Sequence, residues 1–361
     1  MGTFQTATMT IDLPRGWYAT ASDILKTKGV VLIVGGPDSG KSTFCRYILA
    51  RANKQGKPLA FVDADLGQSH IGPPTTIGLK LYPSSGPDEF GDQVDALHFI
   101  GQTSPAGSML EIVVGLQNLV KYVRPRRQLI IVNTSGFIHG PAALRLKMAK
   151  VEALAPQHCV ILARDEEANP IFRALAMRWP QVTVLAISPQ ARSKSWEERR
   201  HYREQRFANF FAKARPQQLS FTFIGWLGFP FGQGPALSTA HKTQLEELAG
   251  TTIWRAERTG GSVYLVGAES LDEARQEHLA THVAPDRLRW VPWSHLQMRL
   301  VGLLDYDLQT RSLGILVDVD WPKEQVTILT PMSPNYLREI RFLRLGQVRL
   351  EPSGRELPPL W

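Results

Sequence analysis

Cysteine is nearly absent: the 361 residues include two, Cys45 and Cys159, far apart in the chain. Two cysteines make no disulfide framework and, by themselves, no metal site, which suits a reducing cytoplasm. Long hydrophobic runs are missing as well. No stretch approaches the roughly 18 to 20 apolar residues of a membrane span, and the opening segment from Met1 to Pro14 has no charged head followed by an apolar core. A membrane protein or an exported one is therefore not expected, and the cytoplasm is the expected location. Nor does acid predominate: 33 Asp+Glu stand against 41 Lys+Arg, a formal charge of +8, which excludes an acidic solvating chain and is compatible with an anionic partner such as nucleic acid. What is present is ordinary globular composition, 43% hydrophobic and 20% charged, with length for roughly two domains.

Short apolar runs without alternation read as strands buried on both faces. They occur at Gly29–Val34, Leu59–Val62, Leu97–Ile100, Leu129–Val132, Cys159–Leu162 and Val182–Leu185. Helical periodicity lies between several of them, over Ser42–Asn53, Ser108–Tyr122, Pro141–Ala155 and Asn169–Arg178. Strands alternating with helices predict an α/β fold built on a parallel sheet. Past Ser188 the texture changes. Residues 192–206 form a highly charged stretch that reads as one exposed helix, about 190–212 when the aromatic run Phe207–Phe211 is included. From about Gln218 come short alternating runs split by Gly and Pro: Ser262–Val266, Leu313–Val319, Gln325–Leu329 and Gln347–Leu350, with a helical patch at Thr239–Leu248. The expected organisation is an α/β domain over 1–217 and a smaller, β-rich domain over 218–361.

The strongest local signal is Gly35-Gly36-Pro37-Asp38-Ser39-Gly40-Lys41-Ser42, followed by Thr43. It fits G-x4-G-K-S/T and lies where the mechanism requires, after a buried strand and before a helix. Backbone N–H groups of such a loop surround phosphate oxygens, the helix N-terminus favours negative charge, Lys41 reaches the β- and γ-phosphates, and Ser42 ligates Mg²⁺. The fold class is thus a P-loop NTPase sheet flanked by helices. The next strand ends in Phe61-Val62-Asp63-Ala64-Asp65-Leu66-Gly67-Gln68, so two carboxylates emerge at i, i+2 where open α/β sheets bind ligands. Phosphoryl transfer to an alcohol needs one carboxylate for the metal shell and a group that takes the hydroxyl proton, and Asp63 and Asp65 can divide these tasks.

A P-loop alone does not name a reaction. A GTPase would carry N-K-x-D after a late strand; Asn53-Lys54-Gln55-Gly56 lacks the Asp, and Asn133-Thr134 lacks the Lys. An acidic pair on the very next strand favours a small-acceptor kinase over a motor ATPase. The charged helix adds to this. Residues 192–206 hold six Arg/Lys against three Glu, and Arg199 and Arg203, four apart, project from one face, where two guanidinium groups can close over a triphosphate as a lid.

Together these motifs resemble the polynucleotide 5′-hydroxyl kinases related to the kinase subunit of the mRNA 3′-end cleavage factor and to the nucleolar ribosomal-RNA processing kinase. The resemblance is to a short, prokaryotic-type member. It rests on Gly35–Thr43, the D-x-D-x-G-Q run Asp63–Gln68 with Pro73-Pro74, Gly101–Pro105, Asn133–Phe137 with Gly140, Arg192 through Phe211, and Leu300–Leu303, Gly314–Leu316 and Thr330-Pro331 in the tail. It implies transfer of the ATP γ-phosphate to a 5′-hydroxyl end of RNA or DNA, with Mg²⁺ as cofactor and GTP left open as a donor. Asp65 is then the base that orients the 5′-hydroxyl, Asp63 supports the metal shell, Gln68 positions substrate or water, and Arg199 and Arg203 are the lid pair. Thr134-Ser135-Gly136-Phe137 stands where the family has a T-x-G-W clasp, with Phe137 in place of its Trp. The rival expectation is an ATP-binding scaffold in an RNA-processing complex; protein partners are not legible. Two basic clusters, Lys121–Arg127 and the tail arginines Arg338, Arg341 and Arg344, are further candidates for nucleic acid.

Overall fold

The computed structural model describes residues 2–5, 10–84, 90–91, 93–164, 170–178 and 181–359. Two compact units divide the chain, Met1–Phe207 and Ala208–Trp361. The division falls inside the lid helix rather than after residue 217. Arg215–Ser220 is a strand that pairs residue for residue with Gln325–Thr330, so the second unit begins before the Gly- and Pro-split runs that mark it in the sequence.

Unit 1 opens with an antiparallel pair, β1 (Gly2–Gln5) and β2 (Thr10–Leu13), and helix α1 (Trp17–Ile24). There follow β3 (Gly29–Gly35), α2 (Lys41–Lys54), β4 (Leu59–Ala64), β5 (Thr76–Tyr82), β6 (Ala96–Phe99), α3 (Met109–Val123), β7 (Leu129–Thr134), α4 (Gly140–Leu154), β8 (His158–Ala163), α5 (Pro170–Arg178), β9 (Val182–Ala186) and α6 (Trp196–Phe211). The helix expected over Asn169–Arg178 is found at Pro170–Arg178, and Asn169 lies outside the described residues.

Within this unit the strands run β6-β5-β4-β7-β3-β8-β9. β4, β7, β3, β8 and β9 are mutually parallel, and β5 is antiparallel to both its neighbours. Along β3, β4, β7 and β8 the apolar runs lack alternation because both faces of the sheet are covered; Val182–Leu185, expected to be buried likewise, lies on the edge strand β9 and leaves Val184 62% exposed. Val30, Leu32 and Val34 of β3 enter the core beneath α3, α4 and α5, while Val31 and Ile33 enter the core beneath α1 and α2. Cys45 and Cys159 are buried, free thiols in these two cores.

From β3 the chain crosses by α2 to β4, two places away, and from β7 it crosses back over β3 by α4 to β8. The carboxyl ends of β3, β4 and β7 therefore open at a topological switch point, where α/β sheets hold ligands. Among the described residues no helix is long and apolar enough to cross a membrane.

Unit 2 is built on antiparallel strands: β10 (Arg215–Ser220), β11 (Gly225–Leu227), β15 (Arg299–Leu304), β16 (Thr310–Asp320), β17 (Gln325–Thr330) and β18 (Phe342–Arg349), paired β11-β18-β15-β16-β17-β10, with only β11 and β18 parallel. A separate three-stranded sheet of β12 (Ile253–Thr259), β13 (Ser262–Gly267) and β14 (Arg287–Pro292) packs with α7 (Thr239–Ala249) and α8 (Glu273–Val283) around Leu245, Leu265 and Leu279. Trp290 packs against this core, and Trp293 against the core of the larger sheet around Val301, Leu316 and Ile328.

Candidate functional site

β3 ends at Gly35 because no side chain fits there: a Cβ would stand 2.5 Å from Ser39 Oγ and 2.7 Å from Leu162 O. The loop then turns through Asp38 (φ 53°) and Gly40 (φ 85°) into α2, whose first turn closes with Phe44 N donating to Gly40 O at 2.8 Å. Lys41, 6% exposed, folds back so that Nζ donates to Gly36 O at 2.5 Å. Burial lowers its pKa below the ordinary 10.5, and Asp65 is the strongest of the charges that oppose the fall.

The two aspartates after β4 part company. Asp63 is the last-but-one residue of the strand and points into the sheet's interior, fully buried. Its Oδ1 accepts from Asp65 N (3.2 Å) and Asn133 Nδ2 (3.0 Å), and its Oδ2 from His70 N (2.7 Å). Burial first, then Asp65, raise its pKa to about 7, with the three N–H donors pulling the other way. Asp65 lies beyond the strand end, on the wall of the cavity. Its Oδ1 caps Gly67 N and Gln68 N at 3.3 and 3.1 Å, and among the described residues its other oxygen takes no protein hydrogen bond.

At the end of β7 a short strap, Thr134–Phe137, crosses the P-loop. Gly136 is there because a Cβ would lie 2.7 Å from Pro37 N and 2.8 Å from Pro37 Cα. Thr134 Oγ1 donates to Ile33 O of β3 at 2.9 Å, so it is a strut between strands and not a cavity residue. Lys147 of α4, wholly buried, donates from Nζ to Thr134 Oγ1 (2.9 Å) and Ser135 O (2.7 Å). One turn on, Lys150 is 1% exposed and its Nζ has no hydrogen-bond partner among the described residues; burial lowers its pKa to about 8, against the opposing charge of Asp65.

The lid helix begins at Trp196, later than residue 190. Ser195 and Glu198 form a reciprocal cap, Ser195 N donating to Glu198 Oε2 at 2.7 Å and Glu198 N to Ser195 Oγ at 3.1 Å. Nor is the helix simply exposed. Arg199 pairs with Asp38 of the P-loop, and Lys194 N donates to the same carboxylate at 3.0 Å. Gln68 Nε2 donates to Arg199 O (3.2 Å), Tyr202 OH to Ser69 O (2.9 Å), and Arg206 Nη2 to Gly72 O (2.8 Å). The lid is thereby tied to the P-loop and to the loop that follows β4.

One cavity of about 770 Å³ gathers Pro37 through Thr43, Asp65, Gln68, Gly136, Phe137, Arg199 and Arg203. Of the residues singled out in the sequence, Asp63, Thr134 and Gly35 stand behind its wall, and Gly36 lines a smaller neighbouring cleft. Asp63, expected in the metal shell, is instead enclosed: its carboxylate accepts from Asn133, His70 N and Asp65 N, and the last of these bonds links it to the cavity wall. The Lys121–Arg127 cluster serves the end of α3: Arg124 Nη2 donates to Leu154 O at 2.8 Å and Arg126 stacks on Tyr122 at 4.0 Å. Asn133, Lys147 and Lys150 were not among the expected site residues. The two lysines sit at the spacing of Ala143, Leu146, Val151 and Leu154, which marks the buried face of α4.

The chain is 29% identical over 354 residues, 97% of its length and 96% of the relative's, to the polyribonucleotide 5′-hydroxyl-kinase of Pyrococcus furiosus. It is 28% identical over 329 residues, 91% and 88% of the two chains, to the polyribonucleotide 5′-hydroxyl-kinase of Methanocaldococcus jannaschii. A CLP1 homolog of Anopheles gambiae is 28% identical over 192 residues, half of this chain and 45% of that one. Among solved structures, a wild-type Clp1p–Pcf11p complex matches 96% of this chain and 82% of its own with a TM-score of 0.61 at 12% identity, a likeness of fold. The profile of the mRNA cleavage and polyadenylation factor CLP1 P-loop matches residues 35–213. The match begins on the first glycine of the P-loop and ends just past α6, so this stretch of the chain is similar to the CLP1 P-loop family.

Proposed function

We propose that the protein is an ATP-dependent polyribonucleotide 5′-hydroxyl kinase, and that the cavity between P-loop, Asp65 and lid is where transfer occurs. The observation that carries the reading is convergence: a phosphate-binding loop, a carboxylate with one oxygen unengaged, and two lid arginines share one enclosure. The P-loop N–H groups and Lys41 hold the β- and γ-phosphates, Lys41 leaving Gly36 O to do so. Asp65 accepts the proton of the attacking 5′-hydroxyl as the new O–P bond forms and the bond to the β-phosphate oxygen breaks, releasing ADP. Arg199 and Arg203 neutralise charge on the transferring group and keep water from competing. Phe137 offers a ring to the terminal base, and Gln68 orients the acceptor.

The donor set also fits Mg²⁺: Ser42 and Asp65 present hard oxygen ligands to the cavity beside the phosphate loop. Ser42 would hold the ion, with Asp65 reaching it through water, and the ion would offset negative charge on the phosphates. RNA is the expected acceptor, in keeping with the named activity of the relatives, with DNA the comparison.

The direct test is incubation with γ-labelled ATP and matched 5′-hydroxyl RNA and DNA oligonucleotides. Label on the RNA 5′ end, lost in Lys41→Ala, is expected. Tight ATP binding without label on either acceptor would replace this reading with a nucleotide-binding scaffold.

A further inference from the structure

Unit 2 carries a groove of about 530 Å³ that the transfer reaction does not use. One wall is β10, presenting Gln217, Gln218 and Ser220; the other comes from the segment before β18, with Arg338 and Arg341. At its mouth stands Phe223, 71% exposed. The exposure is selective. Phe221, in the same short turn, packs edge-on to Trp226 and Trp321 at 5.0 and 5.8 Å, so the fold takes one phenylalanine of the pair inside and leaves the other at the groove. Tyr336, 58% exposed, belongs to the short Pro334–Glu339 turn that supplies Arg338.

No acidic side chain lines the groove. Neither Arg338 nor Arg341 forms an ion pair among the described residues; Arg341 Nη1 instead donates to Arg338 O and Ile340 O, at 2.5 and 2.9 Å, which holds its guanidinium against the backbone of the groove wall. Two cations, an unsheltered aromatic ring and amide side chains along a polar strand are the elements with which proteins hold single-stranded nucleic acid: phosphates on arginine, a base on the ring, base edges on the amides. We propose that this groove is a binding site for a single-stranded polynucleotide segment, separate from the P-loop cavity.

The test is independent of phosphate transfer. Binding of a 5′-phosphorylated, fluorescein-labelled single-stranded RNA of about 20 nucleotides, which cannot accept a phosphate, is followed by anisotropy without nucleotide. Phe223→Ala should weaken it about 10-fold, with Phe223→Tyr close to wild type. Arg338→Gln/Arg341→Gln should weaken it by a similar factor and flatten the log–log salt dependence by about 1.4, the value for two phosphate contacts on a single strand. ATP affinity should stay unchanged in all three. RNA affinity and salt slope indistinguishable from wild type in folded variants would overturn the assignment, as would displacement of the RNA by poly-glutamate of equal charge.

Discussion

Lys150 gives the sharpest test of how the site is built. Its ammonium is buried on the core side of α4 without a hydrogen-bond partner among the described residues, and burial, opposed only in part by Asp65, brings its pKa from 10.5 to about 8. At about 1.4 kcal/mol per pH unit, holding the charge in place costs about 3 kcal/mol of stability. The sign follows from proton counts. Between pH 8 and 10.5 the unfolded chain keeps a proton that the folded chain has released, so the penalty is complete below pH 8 and fades as the pH climbs through 10.5. Lys150→Met removes the charge and keeps most of the apolar stem. The variant should be more stable than wild type at pH 7, and its advantage should shrink by about 2 kcal/mol at pH 9.5. Lys147, whose pKa Lys150 also lowers, adds to the gain in the same direction. Urea unfolding followed by near-ultraviolet circular dichroism at the two pH values measures the difference. A stability gap that does not change with pH, or a variant weaker at pH 7, would refute a buried charge whose burial cost exceeds its attraction to Asp65.

Three further perturbations probe the cavity. Lys147→Met leaves Thr134 Oγ1 and Ser135 O without their donor, so hydrogen exchange of residues 134–138 should quicken at least about 10-fold with stability lower by about 1–3 kcal/mol; unchanged exchange would show that the strap stands without the lysine. Gly136→Ala pushes a methyl against Pro37 N, and nucleotide affinity measured by calorimetry should fall about 10-fold or more, whereas wild-type affinity would mean the P-loop yields freely. Arg203→Ala should reduce turnover by about 100-fold or more while ATP affinity changes less than about 10-fold, and equal losses in both would contradict a lid that acts on the transferring group.

The strand, loop and helix of the P-loop were legible because three local requirements coincide there: a run apolar on both faces, a glycine turn and a helix start. Helices α2, α3 and α4 fall within one or two residues of their expected bounds for the same reason of strong periodicity. β5 was missed because Gly78 and Lys80 break its apolar run, and α8 because Glu273–Val283 is mostly polar. At the site, the i, i+2 spacing of Asp63 and Asp65 suggested a shared direction. That parity holds only within a strand, and β4 ends at Ala64, so one carboxylate turns inward and the other reaches the cavity. Buried lysines escaped notice because lysine on an amphipathic helix reads as solvent-facing, although the apolar spacing around Lys147 and Lys150 places both on the core side. The lid's start was obscured by charge: Arg192 and Lys194 continue the basic stretch but precede the Ser195 cap.

The pairing of Asp38 with Arg199 has a consequence for how nucleotide is received. Arg199 already faces an anion supplied by the phosphate loop itself, so under the proposed reaction an incoming polyphosphate would exchange one negative partner for another instead of drawing a hydrated cation out of water. Nucleotide binding and movement of α6 would then be one substitution reaction, in which the loop that gains a phosphate is the loop that surrenders its arginine.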